Sequence, residues 1–320
     1  MSITHELSLV APTHPTLLTV GVFDGVHIGH QALLQKLTSD AAARGLQPGV
    51  ITFRQHPLVF LAPHNAPLRL ASLTETTAFV KESGIDLFIP LTFDAALARA
   101  DARTFAQLLR KYLNMRGLIL GWDFAMGHHR SGNQAALADI GRDLGFTTET
   151  VPAVTLGDKI VSSTAIRQAV SEGRMSQARA MLGRPFYLEG EVVPGAGRGV
   201  KLGFPTANIS VDPNRVVPAE GVYTSAAYLG NTPQLSITAI SHCPTFEGTE
   251  RTIEVHLFDF SANIYHQTLR LAIMEYLRPV RRFESNQALQ EQVALDITRA
   301  RELLTTEKLP PVSGRLGTSA

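Results

Sequence analysis

Two histidines three residues apart, His27 and His30, stand in the stretch LLTVGVFDGVHIGHQ between Leu17 and Gln31. Leu17 to Phe23 is a short apolar run rich in Val and Leu, the pattern of a buried strand, and the amphipathic stretch QALLQKLTSDAAARG begins directly after His30. A ligand at this junction would meet a helix N-terminus. The first N–H groups of a helix have no intrahelical partner and its dipole is positive there, so the geometry suits a phosphate chain. Gly21, Gly25 and Gly29 let the backbone approach such a ligand closely. Two imidazoles on the same side of the first turn can donate hydrogen bonds to phosphoryl oxygens.

Further groups suited to chemistry follow. VSSTAIRQAV (161–170) places Ser162, Ser163 and Thr164 at a hydroxyl-rich helix start, with Arg167 one turn further along. Hydroxyls, free N–H groups and a guanidinium make a second phosphate clamp. Gly195 to Asn208, GAGRGVKLGFPTAN, is a glycine-rich loop leading into Pro-Thr-Ala-Asn. By itself such a loop commonly does no more than connect two strands. Glu254 lies in RTIEVHLFDF, where alternation puts Ile253, Val255 and Leu257 on one face and Glu254, His256 and Phe258 on the other. Two weaker segments, TFRQHP (52–57) with His56 and GWDFAMGHHRSGN (121–133) with Asp123, fall at the ends of predicted strands.

The elements that must position these groups come in two grammars. In the first half strand and helix patterns alternate: GVITF (49–53), ETTAFVKES (75–83), IDLFIPL (85–91), TFAQLLRKYLN (104–114) and GLILGWDF (117–124). That order implies a parallel sheet with helices on both faces and ligands gathered beyond the C-terminal strand ends. After a short helix ending near Leu182 the pattern changes at GRPFYLEG (183–190). Short strand patterns with turns follow, LEGEVV, GVYTSAAYLG, LSITAI, RTIEVHLFDF and LRLAIMEYL, which read as an all-β barrel or sandwich. Leu289, Val293, Ile297, Ala300 and Leu304 form the apolar stripe of a final helix, and residues 308–320 read as a disordered tail.

Composition narrows the classes. A chain of 320 residues with 44% hydrophobic content can bury two ordinary cores. A formal charge of +1 with interspersed signs leaves no basic stripe for nucleic acid, so small anions would be held by local geometry. The single cysteine, Cys243, allows neither an internal disulfide nor a Cys-x-x-Cys zinc site. With no basic region followed by an apolar core at the N-terminus and no apolar run approaching 18 residues, the expectation is a cytoplasmic protein without a membrane span. Self-association is left open.

GVFDGVHIGH closely resembles the nucleotidyltransferase signature of bacterial bifunctional riboflavin kinase/FMN adenylyltransferases. LGFPTAN and EVHL resemble the riboflavin kinase signature, and VSSTAIR resembles the Ser-Ser-Thr-x-Ile-Arg motif that faces the paired histidines in that superfamily. The resemblance covers roughly residues 15–305 in order. It implies a Rossmann-like α/β nucleotidyltransferase domain over 1–184 and a riboflavin kinase barrel with a C-terminal helix over 185–307. The implied ATP and phosphate contacts of the first domain are Gly21, Phe23, Asp24, Gly25, His27, Gly29, His30, Ser162, Ser163, Thr164 and Arg167, with His56 and Asp123 near the flavin. In the second they are Gly195, Gly197, Arg198, Lys201, Gly203, Phe204, Pro205, Thr206 and Asn208. Thr206 and Asn208 are implied as oxygen ligands of the Mg²⁺ that accompanies ATP, and Glu254 as the general base on riboflavin. The implied reactions make FMN from riboflavin and then FAD from FMN, ATP being the co-substrate of both. The alternatives are a chain that keeps only one of these activities, or a flavin-binding protein without catalysis. Three departures from the family pattern stand out: Ala125 where a basic residue is frequent, Asn133 where Asp is common, and Ala239-Ile-Ser-His-Cys243 in place of Asn-Ile-Gly-x-Arg.

Overall fold

The computed structural model describes residues 3–127, 131–195, 197, 199, 202–230, 232–245, 248–305 and 309. Its contacts divide the chain into two compact units, Met1–Ser162 and Ser163–Ala320.

In the first unit β1 (Thr16–Val20) is buried along its whole length and pairs in parallel with β2 (Gln47–Phe53) and β4 (Met115–Gly121). With β3 (Leu87–Leu91) and β5 (Thr147–Val151) the sheet order is β3-β2-β1-β4-β5, and β6 (Thr155–Leu156) and β7 (Lys159–Ile160) form a separate antiparallel pair. Strand order reverses between β1 and β4, so the segment after β1 leaves the sheet at the switch point, where open α/β sheets hold their ligands. Of the helices α1 (Ile3–Ser8), α2 (Ile28–Ala43), α3 (Pro57–Leu61), α4 (Leu73–Glu82), α5 (Ala95–Arg99), α6 (Ala102–Leu113) and α7 (Gln134–Leu144), α2 packs on β1, β2, β4 and β5. Phe105, Leu109 and Leu113 of α6 recur at helical spacing and meet Leu18, Val20, Leu118 and Leu120 of the sheet in one core. Asp101 caps the start of α6, accepting from the Thr104 N–H, and Asn114 ends the helix in the left-handed region. The chain can then turn directly into β4.

In the second unit α8 (Ser163–Ser171) and α9 (Met175–Leu182) precede a closed antiparallel barrel in the order β10-β11-β12-β9-β8-β13. Its strands are β8 (Phe186–Val193), β9 (Ala207–Val211), β10 (Gly221–Leu229), β11 (Thr232–Thr245), β12 (Gly248–Leu257) and β13 (Thr268–Arg278). Closure leaves no free sheet edge. Alternation on β12 is as the sequence indicates, with Ile253, Val255 and Leu257 buried and Glu254 and His256 half-buried on the other face. Helix α10 (Asn286–Thr305) lays Val293, Ile297 and Ala300 against Val222, Leu235, Ile237, Ala239 and Phe258. Arg278 of β13 ties that helix down through a forked pair with Asp296, at 2.7 to 3.0 Å.

Helices α8 and α9, expected to belong with the first domain, group by contact with the barrel, α9 packing on β8 and β13 and the Ser176 hydroxyl donating to Glu275 at 2.7 Å. Ala239 to Cys243, the stretch that departs from the family pattern, lies inside β11 in register with Glu250 to Glu254. Apart from residue 309 the expected tail lies outside the described residues. Among the described residues no helix is long and apolar enough to cross a membrane.

Candidate active sites

Beyond β1 the Gly21 N–H continues the parallel pairing by donating to the Ile51 carbonyl at 3.0 Å, and the chain then makes a tight turn. Gly25 (φ 80°) and Val26 (φ 37°) are successive left-handed residues, a conformation that a β-branched side chain seldom adopts. Val26 is held there by burial and by the Gln31 side-chain amide, which donates to its carbonyl at 2.9 Å. The Asp24 carboxylate accepts backbone N–H groups of Leu70 and Ala71 at 2.9 to 3.0 Å, so this turn is tied to the segment leading into α4.

His27 is the N-cap of α2, and its Nδ1 accepts from the His30 N–H at 3.3 Å. The helix thus begins at Ile28, a turn earlier than the apolar periodicity indicates, because Ile28 and Gly29 do not belong to the core stripe. With Nδ1 accepting, the neutral ring of His27 carries its proton on Nε2. The rings of His27 and His30 stack with centroids 3.8 Å apart at 18°, and Phe23 lies against His30 at 5.0 Å. A Cβ at Gly29 would stand 3.1 Å from the His27 ring and 3.9 Å from the Val161 carbonyl. The chain leading into the hydroxyl cluster therefore runs beside the start of α2. Ser162 closes the first unit, and Ser163, Thr164 and Arg167 lie on α8, which opens the second.

His56 caps α3, its Nδ1 accepting from the Leu58 N–H at 3.1 Å, and Asp123 sits just beyond β4 with its carboxylate exposed. At these strand ends the structure assembles an apolar group that no sequence signal marks. Phe93 meets Phe53 edge-on at 5.4 Å and Phe60 at 6.2 Å, and Val59, Phe60 and Leu61 of α3 are exposed.

In the second unit Thr206, Asn208 and Glu254 converge. Asn208 on β9 is the direct antiparallel partner of Glu254 on β12, so their side chains share a face. The Thr206 hydroxyl donates to Glu254 Oε2 at 3.2 Å. The amide of Asn208 packs so tightly on Gly195 that a Cβ there would fall 2.0 Å from Nδ2, which explains a glycine at that position. The loop before Thr206 turns on Gly199, whose carbonyl accepts from Leu202 and Phe204, and Gly203 has φ 78°. Gln290 of α10 donates to the Leu202 carbonyl at 3.1 Å. Gly197 is described and has φ 65°, whereas Arg198 and Lys201 lie outside the described residues. No group of three or more His, Cys, Asp or Glu side chains that could hold a metal occurs among the described residues.

Residues 10–165 match the FAD synthetase family model and residues 182–304 the riboflavin kinase model. The bifunctional riboflavin kinase/FMN adenylyltransferase of Escherichia coli K12 is 36% identical over 306 residues, covering 95% of this chain and 97% of its own length. The chain belongs to the bifunctional riboflavin kinase/FMN adenylyltransferase family. The family member of Haemophilus influenzae is 34% identical over 89% of this chain and 92% of its own length. A solved structure described as a macrolide-efflux protein from Streptococcus pneumoniae superposes with a TM-score of 0.87 at 28% identity, covering 92% of this chain and 96% of that one.

The departures from the family pattern now have places. Asn133 caps α7, its side chain accepting from the Ala136 N–H at 3.0 Å, a role in which Asn and Asp are equivalent. Ala239 is the cross-strand partner of Glu254 and packs against the apolar cluster beneath α10. Ser241 pairs with Thr252 through their hydroxyls at 2.8 Å. The N–H and Nδ1 of His242 both meet Glu220 Oε1 at 2.8 Å, and the hydrogen bond from His242 holds that carboxyl below the usual carboxylate range. Ala125 lies ahead of residues 128–130, which are outside the described residues.

Proposed function

We propose that this chain carries out both reactions of its family, phosphorylating riboflavin to FMN and adenylylating FMN to FAD. The observation that carries this reading is that one chain holds both a stacked histidine pair at a helix start and a Thr–Asn–Glu cluster at a glycine-lined loop. Its work on small molecules in the cytoplasm belongs to the same proposal.

In the kinase unit Glu254 takes the proton from the riboflavin 5′-hydroxyl as that oxygen attacks the γ-phosphorus of ATP, and ADP leaves. The Thr206 hydroxyl, donating to one carboxylate oxygen, orients the base. The oxygen atoms of Thr206 and Asn208, two hard donors beside a carboxylate, fit Mg²⁺. When bound, that ion would neutralise charge on the ATP phosphates.

In the adenylylation a phosphate oxygen of FMN attacks the α-phosphorus of ATP and pyrophosphate leaves. His27 through Nε2–H, His30 and the first N–H groups of α2 are placed to donate to the phosphoryl oxygens as charge builds on them. Ser163, Thr164 and Arg167 on α8 offer hydroxyl and guanidinium donors of a kind suited to phosphate oxygens. The exposed Val59, Phe60 and Leu61 and the Phe53–Phe93 pair offer the flavin ring an apolar wall.

The test is incubation with riboflavin, ATP and Mg²⁺, with FMN, FAD and pyrophosphate separated by chromatography. Appearance of FMN followed by FAD supports the proposal. FMN alone, FAD only from supplied FMN, or neither product would reduce the chain to one activity or to flavin binding.

A further inference from the structure

His256 lies two residues beyond Glu254 on the same face of β12, and its Nδ1 stands 2.9 Å from the carbonyl oxygen of Pro205. A carbonyl can only accept, so Nδ1 carries the proton and donates. The ring is held from both sides, with Phe204 edge-on at 5.7 Å and Phe258 tilted at 5.8 Å. Pro205 immediately precedes Thr206, whose hydroxyl meets Glu254 at 3.2 Å. The contact joins residues 51 apart in sequence and fastens the end of the glycine-rich loop to the strand that carries Glu254. Proline has no N–H to anchor this point of the loop, so its carbonyl is the backbone group through which residue 205 can be held.

We propose that His256 is a positioning residue of the kinase site, fixing the Pro205 carbonyl so that Thr206 stays in register with Glu254. The proposal rests on the reading of Thr206 and Glu254 given above. The contact is made through one atom, Nδ1, which lies one bond beyond Cγ. Asn carries its amide nitrogen at that same distance, whereas Gln carries it one methylene further out, and Leu fills comparable volume without a donor.

The experiment compares His256→Asn, His256→Gln and His256→Leu in the full chain, measuring riboflavin phosphorylation as a function of Mg²⁺ and ATP, with circular dichroism and the thermal unfolding midpoint of each preparation as the fold control. Expected is a loss of about five- to tenfold in kinase kcat/KM for Leu and Gln, the range of one neutral hydrogen bond, with a higher Mg²⁺ requirement. Asn is expected to stay within about twofold of wild type. Wild-type Mg²⁺ dependence and kcat/KM in His256→Leu, or equal impairment of Asn and Leu, would overturn the proposal. Glu254→Gln and Thr206→Ala are run alongside. Kinase activity surviving in both removes the underlying reading and this inference with it, while loss in both with an intact His256→Leu removes the positioning role alone.

Discussion

Ala239 and Glu254 face each other directly across the β11–β12 ladder, and Ala239 also touches the apolar cluster beneath α10. Directly opposite residues in such a ladder bring their Cβ atoms to roughly 5 Å, close enough for a side-chain amide at 239 to reach the carboxylate. The family asparagine is absent here, and the position packs on the cluster of Val222, Ile237, Phe258 and Ala300. Ala239→Asn should lower the Michaelis constant of the kinase for riboflavin or ATP and leave adenylylation of FMN unchanged. It should also cost about 1 kcal/mol of stability, since an amide is pressed against apolar side chains. Unaltered constants in a folded variant would make the alanine functionally neutral.

His27→Ala and His30→Ala should each abolish FAD formation from FMN and spare FMN formation from riboflavin, because the histidine pair lies in the first unit and Glu254 in the second. The measurement is product chromatography with each substrate supplied separately. Equal loss of both activities in a folded variant would contradict two independent sites.

Glu254→Gln should do the reverse. The amide keeps the size of the side chain but cannot accept the hydroxyl proton, so riboflavin phosphorylation should fall by about 10² or more while FMN is still converted to FAD. A kinase rate within a factor of two of wild type would remove Glu254 as the base. In Thr206→Ala the Mg²⁺ titration of the kinase should shift to higher concentration, and an unshifted curve would argue against Thr206 as a ligand.

Asp24→Asn tests whether the signature turn depends on its tether. The carboxylate accepts from Leu70 and Ala71, and an amide would present a donor to one of those N–H groups. A cost of about 2 kcal/mol in chemical denaturation is expected, together with weaker adenylylation. Full stability would show that the tether can be replaced.

Glu6 gives a pH dependence. Burial pushes its carboxyl up, but the N–H and hydroxyl of Thr92, at 2.9 and 2.8 Å, and Arg54 outweigh that and hold it below its ordinary value. A carboxyl depressed in the folded state contributes stability that is present above its unfolded pKa and is lost as pH falls through the folded one. Glu6→Gln should therefore destabilise the chain at neutral pH by about 1–2 kcal/mol, with the difference from wild type shrinking progressively as pH falls below the ordinary carboxylate range. Denaturation midpoints across pH would reveal it, and a gap that does not narrow on acidification would exclude the ionic origin.

The sequence by itself determined what depends on neighbours along the chain. Period-3.6 stripes such as Phe105, Leu109 and Leu113 and the alternation of Ile253, Val255 and Leu257 name helix and strand because each element must bury one face. The spacing of His27 and His30 places two imidazoles in one turn for the same local reason, and both signatures were legible with it. Tertiary structure alone decided the rest. Thr206 and Glu254 are 48 residues apart, and their contact exists only because the barrel closes with β9 beside β12. The place of Ala239 opposite Glu254 depends on strand register, which one residue of slip would reverse, so no local pattern tells that this departure from the family faces the carboxylate. Val26 in the left-handed region, the Asp24 tether and the apolar wall around Phe93 likewise carry no periodic signal, being set by partners distant in the chain.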